Sequence, residues 1–473
     1  MSPGATAAAV ADAAVVAEVH PASGGAPVGR SRGGVRRRGG RPVTDPGAIR
    51  TTRLDSGLRV VTEAMPGLRS VAAGVWVGSG ARDEDDAVAG ASHFLEHLAF
   101  KGTTRRSAVE IAEAVESVGG DMNAFTSHEL TAFYVRVPDH RLPVAVDILA
   151  DIVWSPALRP EDVDSERRVI LEEIRMRDDT PDDLVHDVFA ATVFPDHPIG
   201  REITGSVATI TAMTPEAIAG FHAAHYSPDN AVVAVAGNVE HDTVVALIED
   251  ALAGLAGGIV TRPTRPTRRL HDGTPGPEPL AVVEDDTEQV HLVIGLRALR
   301  RNDPDRYALG VLDQVLGGGM SSRLFQEVRE RRGLAYSVYS YRAAFEETGA
   351  FGIYAGTGPE RVGELVDVLH GELDRIRTDG GVEDREIEAA KGHLTGSLAL
   401  SLESSMSRMY RLGRSELLLG EVPSLDAIVA EVEAVTADDV ARVVDRVFRA
   451  NPVSIVGVGP VTAADLAPRS PAV

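Results

Sequence analysis

The sequence predicts a duplicated α+β protein, in which two homologous halves are joined by a linker. A capped helix followed by an apolar strand closes each half, at residues 214–222 and 234–239 and again at 436–444 and 456–461. The spacing is constant, since positions 214 and 436 are 222 apart and so are 237 and 459. A fixed repeat of one helix-strand unit indicates duplicated domains. The chain of 473 residues, 44% of them hydrophobic, is long enough for two or more cores.

Composition separates the domains from their flanking segments. Residues 253–279 are rich in Gly, Pro, Thr and Arg, which is typical of an extended, solvated linker. Residues 1–50 are rich in Ala, Gly and Arg and lack helical periodicity, so we expect a disordered tail there and another at 464–473. The N-terminal domain is then predicted at 51–252 and the C-terminal domain at 280–463.

The most informative motif is His-Phe-Leu-Glu-His at residues 93–97. Residues four apart lie on one face of a helix, so His93 and His97 are placed to bind one metal ion, with Glu96 beside them to take a proton from metal-bound water. Such a pattern arises by chance roughly 0.03 times in a chain of this composition, and its inverted order is typical of one class of zinc metallopeptidases. We predict a helix over residues 87–100, ending near Lys101. The corresponding segment of the second half, residues 312–316, lacks the motif, so only one half should bind zinc.

A third metal ligand is expected from a Glu-rich helix that begins at Pro160 and ends near Pro181. Glu166 and Glu173 share a face of this helix two turns apart, so one is placed to bind the metal while the other orients a ligand. Read alone, such a helix is more often a solvated acidic face.

These segments resemble the pitrilysin family of zinc peptidases, and residues 93–103 are most similar to the β subunit of mitochondrial processing peptidase and its bacterial relatives. The resemblance spans residues 51–461. It implies one Zn²⁺ per chain held by His93, His97 and Glu173, with Glu172 as the alternative third ligand. It also implies that Glu166 supports the active site without being a primary ligand.

Two further segments extend the resemblance. Residues 119–134 resemble the family's edge strand, which implies that Asn123, Ala124, Phe125 and Thr126 bind the main chain of an extended substrate; the same residues are also consistent with an ordinary strand. Residues 322–338 resemble the segment by which the second domain completes the site, which implies that Arg329 and Tyr336 hold the substrate and stabilise the developing oxyanion.

The implied fold is a pair of α/β-sandwich domains, each an antiparallel-rich sheet with helices packed on it, that together form half of a clamshell. The implied function is a zinc endopeptidase that cleaves extended peptides or precursor segments, with Glu96 as general base and zinc-bound water as nucleophile. A homodimer, or a heterodimer with a related subunit, would complete the clamshell. The alternatives are a noncatalytic subunit akin to respiratory-complex core proteins and a peptidase that clears oligopeptides.

Charge and residue usage bear on partners and location. The net charge of −23 disfavours nucleic acid and suits basic peptides, although an acidic surface also serves solubility alone. No segment of the sequence is long and apolar enough to suggest a membrane partner. Cys is absent and Lys occurs only at positions 101 and 391. We expect a bacterial cytoplasmic protein, with the mitochondrial matrix as the alternative.

Overall fold

The computed structural model describes residues 48–254, 276–378 and 381–467. Of the tails and the linker predicted from composition, residues 48–50, 253–254, 276–279 and 464–467 are described, and the remaining residues lie outside these ranges. The described residues form two mixed β-sheets, one in each half of the chain.

The first sheet has six strands and the second has five. Their bounds are β1 Ile49–Arg53, β2 Arg59–Ala64, β3 Ser70–Val77, β4 Asp121–Thr126, β5 Thr131–Pro138, β6 Ala231–Gly237, β7 Leu280–Glu284, β8 Val290–Ala298, β9 Val338–Ala344, β10 Gly349–Thr357 and β11 Ser454–Gly459. The strand orders are β1-β2-β6-β3-β5-β4 and β7-β11-β8-β10-β9.

The two sheets share one topology once β1 is set aside. β2 pairs in parallel with β6 and β7 pairs in parallel with β11, whereas every other pair is antiparallel. The repeated glycines also match, because Gly237 and Gly459 each end a strand with a positive φ, of 137° and 126°. The predicted duplicated, antiparallel-rich α+β fold is therefore confirmed.

Fourteen α-helices connect and cover these sheets in the part of the chain that the structure describes. They are α1 Ala91–Ala99, α2 Ala108–Glu116, α3 Leu142–Trp154, α4 Pro160–Asp178, α5 Pro181–Val193, α6 Val207–Ala212, α7 Pro215–His225, α8 His241–Ala253, α9 Arg306–Gly317, α10 Val362–Arg377, α11 Asp384–Ser401, α12 Ser405–Leu418, α13 Leu425–Ala434 and α14 Ala437–Val443. Thr214 and Thr436 cap α7 and α14 through their hydroxyls, as the repeat predicts. Among the described helices, none has the length and apolar character that a membrane crossing requires.

Each half also lends one helix to the sheet of the other. From the first half, α5 buries Val185 and Phe189 in a cluster with Val456 of the second sheet. From the second half, α12 packs Met409 against Trp76 and the other side chains on one face of the first sheet. The fit of α12 is close, since a Cβ added at Gly413 would lie 2.0 Å from the Trp76 Nε1 atom. The exchanged helices therefore interlock the two halves.

A partly buried polar cluster lies where α5 meets the second sheet. The two ring nitrogens of His186 lie 3.0 Å from the Tyr341 hydroxyl and 3.1 Å from the Tyr339 hydroxyl. Burial lowers the pKa of His186 to about 4, with Asp182 opposing this effect and His291 adding to it. The imidazole is therefore neutral in the folded protein at physiological pH.

The neutral His186 makes the stability of this packing depend on pH. Below pH 6.5 the unfolded chain takes up a proton that the folded protein does not bind until about pH 4, so the free energy of unfolding falls as the pH drops through this window. The full loss is about 3 kcal/mol. We expect urea unfolding at pH 7.5 and 4.5 to show a larger acid-induced loss in wild type than in His186→Gln. Equal losses in the two proteins would contradict this assignment.

Candidate metal centre

Helix α1 carries His93, Glu96 and His97 on a partly buried face and buries Phe94, Leu95 and Leu98 in the first core. The helix begins at Ala91, four residues later than the predicted start at position 87. The reason is local, because Gly90 has a φ of 95° and cannot continue a helix from residues 86–88, which form a separate 3₁₀ turn. The predicted end of the helix at residue 100 is close to the observed end at Ala99.

The first turn of α1 is held by a carboxylate from the preceding loop. Glu84, which is buried, accepts hydrogen bonds of 2.7 Å from the backbone N–H groups of Gly90 and Ser92. These are N–H groups that a helix start leaves without an internal partner. Burial raises the pKa of Glu84 to about 7, although both backbone hydrogen bonds act to lower it. Glu84 thereby fixes the direction in which α1 presents its histidines.

Helix α4 presents Glu166 and Glu173 to α1. It begins at Pro160 and ends at Asp178, as the sequence predicts, and it buries Val163, Ile170 and Ile174 in the first core. The packing of α4 against α1 is what brings the two glutamates to the histidines across a long stretch of chain. The Glu166 side chain is 4% exposed and that of Glu173 is 40% exposed.

The structure brings together the three residues predicted to bind metal. One donor atom each from His93, His97 and Glu173 lies within 4.8 Å of the other two. Glu173 Oε2 is 3.4 Å from His97 Nε2 and 3.8 Å from His93 Nε2. Ligand atoms about 2.0–2.1 Å from a tetrahedral zinc ion are about 3.4 Å apart, so this donor set fits Zn²⁺. In the described residues it is also the only such group of three or more His, Cys, Asp or Glu side chains, and it lies in the first half.

Glu166 supports the centre from behind His97. Its Oε2 atom lies 3.1 Å from His97 Nδ1, on the opposite side of the ring from the nitrogen that faces Glu173. Its Oε1 atom lies 2.7 Å from Lys101 Nζ. A carboxylate that accepts the second N–H of a histidine fixes the tautomer and the orientation of the ring. The geometry therefore places Glu166 behind His97, and its supporting role in the reaction stays a prediction.

The surroundings lower the pKa of two side chains of the centre and raise the pKa of the other three. Burial, together with the neighbouring His97, lowers the pKa of His93 to about 3, so its imidazole is neutral and has a lone pair for a metal. Burial also acts to lower the pKa of His97, but Glu166, Glu173 and Glu96 outweigh it and raise the value. Burial raises the pKa of Glu96 and of Glu173, whereas hydrogen bonds from His97 and Lys101 overcome the effect of burial at Glu166 and lower its pKa.

Glu96 is linked to the edge of the first sheet. Thr126, the last residue of β4, donates a 2.6 Å hydrogen bond from its hydroxyl to Glu96 Oε2. β4 pairs only with β5 within its sheet and so forms the sheet edge, where residues 123–126 had been predicted. The segment 119–134 is a hairpin, in which residues 127–130 turn the chain from β4 into β5, and not a single strand.

Arg329 and Tyr336 contact each other in the second half of the chain. The Arg329 guanidinium is between the rings of Phe325 and Tyr336, 4.8 and 4.5 Å from their centroids, and donates a hydrogen bond to the Tyr336 carbonyl. The Tyr336 side chain is 80% exposed. Within the described ranges, neither residue forms a hydrogen bond or ion pair with the five side chains of the metal centre. The geometry of one chain therefore leaves their predicted contact with substrate as a prediction.

Two residues of the site were not singled out by sequence reasoning. Lys101 had a usable signal, because it follows His97 by four residues and so lies on the same side of the helix end as that ligand. Glu84 had no such signal. It is one of several acidic residues in a loop, and this pattern does not predict that its carboxylate binds the backbone N–H groups at the start of a helix.

Comparisons with known proteins agree with this geometry. The family model described as "Insulinase (Peptidase family M16)" matches residues 59–207, and "Peptidase M16 inactive domain" matches residues 212–394. The first match contains the whole metal centre, and the second begins after it.

Several bacterial proteins resemble the chain over most of its length. An uncharacterized zinc protease of Streptomyces coelicolor is 45% identical over 87% of this chain and 90% of its own. The corresponding protein of Mycobacterium tuberculosis strain H37Rv is 47% identical over 85% of this chain and 92% of its own. A crystal structure of a protease from Helicobacter pylori covers 88% of this chain and 100% of its own, with a TM-score of 0.80 and 24% identity, and so shares the fold.

Proposed function

Because the chain belongs to peptidase family M16, we propose that it is a zinc-dependent endopeptidase that cleaves extended peptides or precursor segments. The observation that carries the proposal is the convergence of His93, His97 and Glu173 on one point, with Glu96 beside them. The names of the relatives, which are zinc proteases, support zinc as the metal.

The donor set would hold the metal through two neutral imidazole nitrogens and one carboxylate oxygen, which leaves a position for water or substrate. When bound, Zn²⁺ acidifies water and polarises a carbonyl group. Glu166 keeps His97 in the orientation that directs Nε2 toward Glu173, and Lys101 neutralises the Glu166 carboxylate while it does so.

Glu96 is the general base of this proposal. Its carboxylate takes a proton from the attacking water and later passes that proton to the leaving amine. The Thr126 hydroxyl occupies one carboxylate oxygen and so fixes the side chain toward the centre. The same hydrogen bond joins the base to the strand on which the substrate would lie.

The edge strand β4 supplies the substrate platform in this proposal. An extended peptide that pairs with the free edge of β4 would bind through main-chain N–H and C=O groups, with little demand on its own side chains. Residues 123–126 would make these contacts, and Thr126 would place the scissile region next to Glu96. Arg329 and Tyr336 would hold the peptide from the second half of this chain or of a partner.

The proposal extends to assembly and location. A homodimer or a heterodimer with a related subunit would close the clamshell. The bacterial relatives support a bacterial source, and the proposed location is the cytoplasm. Acidic residues exceed basic ones by 70 to 47, which supports basic peptides as substrates. The noncatalytic alternative has no support from the metal centre, where every residue of the motif is in place.

Cleavage of a quenched fluorescent peptide that contains Arg tests the function. We expect zinc-loaded protein to cleave it, a chelator to abolish cleavage and added Zn²⁺ to restore it. Light scattering on the same sample reports whether the active species is a monomer or a dimer. Zinc-loaded protein that stays inert, both alone and with candidate partner subunits, would contradict the peptidase proposal and favour a structural role.

A further inference from the structure

Three ion pairs link four charged side chains of the two halves in the order Glu347–Arg82–Glu129–Arg301. Arg82 and Glu129 come from the first half, and Arg301 and Glu347 come from the second. We call these four residues the cross-half ring. Their side chains are only 2%, 9%, 12% and 13% exposed, respectively. The two positive and two negative charges balance each other.

Glu129 is the central member of the ring. One of its carboxylate oxygens pairs with Arg82 and the other pairs with Arg301. The first oxygen also accepts a 3.1 Å hydrogen bond from the Glu346 backbone N–H. Arg82 continues the ring through a 2.6 Å contact between Nη2 and Glu347 Oε1. One first-half carboxylate therefore binds both the β9–β10 turn and the β8–α9 loop of the second half.

The cross-half ring contacts two segments that position Glu96, the β4–β5 turn and the segment before α1. Glu129 lies in the turn after β4, three residues from Thr126, whose hydroxyl holds Glu96. Arg82 lies two residues before Glu84, whose carboxylate holds the start of α1. These elements also bind each other, because the backbone N–H of Arg82 donates a 2.9 Å hydrogen bond to the His128 carbonyl.

The segment before α1 and the β4–β5 turn are in tight contact. A Cβ added at Gly80 would lie 2.3 Å from the Ser127 carbonyl oxygen, so the segment before α1 lies directly on the β4–β5 turn. The His128 ring packs edge-on against Phe345 of the second half at 5.6 Å. A displacement of the second half at the ring would therefore be passed to β4 and α1 together.

We propose that the cross-half ring is a positioning device by which the second half sets the alignment of β4 and α1, and hence of Glu96, for hydrolysis. The inference rests on the proposed peptidase function. The four residues of the cross-half ring act through Thr126 and Glu84 and do not touch the substrate. The second half would thus support the reaction through buried charges as well as through any direct contact with the peptide.

The test removes the second-half side of the ring with Arg301→Met, the first-half side with Glu129→Gln, and both together. A displacement of the base by a fraction of an ångström to 1 Å lowers the rate of the chemical step, so we expect kcat to fall about 10- to 100-fold with little change in KM or zinc content. The double variant should be no slower than Glu129→Gln, because both substitutions break one network. Hydrogen exchange should show faster exchange in residues 121–131 of each variant.

Arg377→Met is the control. Arg377 donates hydrogen bonds to the Phe448 carbonyl at 2.9 Å and to Asp374 at 3.1 Å, both within the second half, and its side chain is 27% exposed. We expect this variant to lose stability but to keep both kcat and the protection of residues 121–131. Equal losses of kcat in Arg301→Met and Arg377→Met, or unchanged exchange in residues 121–131 of Arg301→Met, would overturn the proposal. If wild type cleaves no peptide, the exchange measurement still decides the coupling, so that failure of the function and failure of the ring are told apart.

Discussion

Replacing Glu96 by Gln should leave the metal bound and reduce peptide hydrolysis roughly 10³-fold or more. Glu96 is not one of the three residues whose donor atoms converge, so its substitution removes no ligand. Gln keeps the size of the side chain and its hydrogen bond with the Thr126 hydroxyl, but it does not accept a proton at neutral pH. The expected loss is therefore one of catalysis alone.

The measurement compares kcat and KM of wild type and Glu96→Gln at equal zinc content, determined by elemental analysis of the same samples. Thr126→Val is the companion variant, since it removes the hydroxyl that fixes Glu96 and keeps the carboxylate. We expect the kcat of Thr126→Val to lie between those of wild type and Glu96→Gln, about 10-fold below wild type. A Glu96→Gln protein that cleaves at the wild-type rate would remove Glu96 from the mechanism.

The residues of the candidate metal site could be brought together from sequence because their placement is set mostly by local helix geometry. The four-residue spacing of His93 and His97 fixes a shared face once the segment is helical, and the seven-residue spacing of Glu166 and Glu173 does the same on α4. Which of the two glutamates binds metal was left open by spacing alone. The packing of α4 on α1 places Glu173 near both rings and Glu166 behind His97, and so favours Glu173 as the candidate ligand.

Long-range packing explains what the sequence did not predict. The exchange of α5 and α12 between the sheets depends on the fit of distant surfaces, such as Trp76 on Gly413, which has no local signature. The cross-half ring is of the same kind, because Arg82 and Arg301 are ordinary surface residues in any local reading. The start of α1 differs from its prediction because the pattern of apolar residues continues past a glycine that adopts a positive φ.

Replacing Glu173 by Gln should lower the affinity for zinc. The same substitution at the neighbouring Glu172 is the matched control. Glu173 Oε2 lies between the two histidine nitrogens, whereas Glu172 points away, is 65% exposed and pairs with Arg175 on the same helix. Structural zinc sites with four protein ligands bind the ion with about 10–16 kcal/mol, which is about 3 kcal/mol for each ligand. Loss of one such ligand in Glu173→Gln should therefore weaken zinc binding roughly 100-fold or more.

Both substitutions remove one negative charge from adjacent positions on α4, so a general electrostatic effect would appear in both variants alike. A competition titration of each protein against a zinc chelator at fixed pH measures the affinity directly, and activity at limiting zinc gives an independent check. We expect Glu172→Gln to retain the wild-type affinity, because its partner Arg175 is outside the centre. If Glu172→Gln loses zinc and Glu173→Gln keeps it, the third ligand is Glu172 and α4 must turn in the zinc-loaded protein by about 100°, the angle between successive residues of a helix.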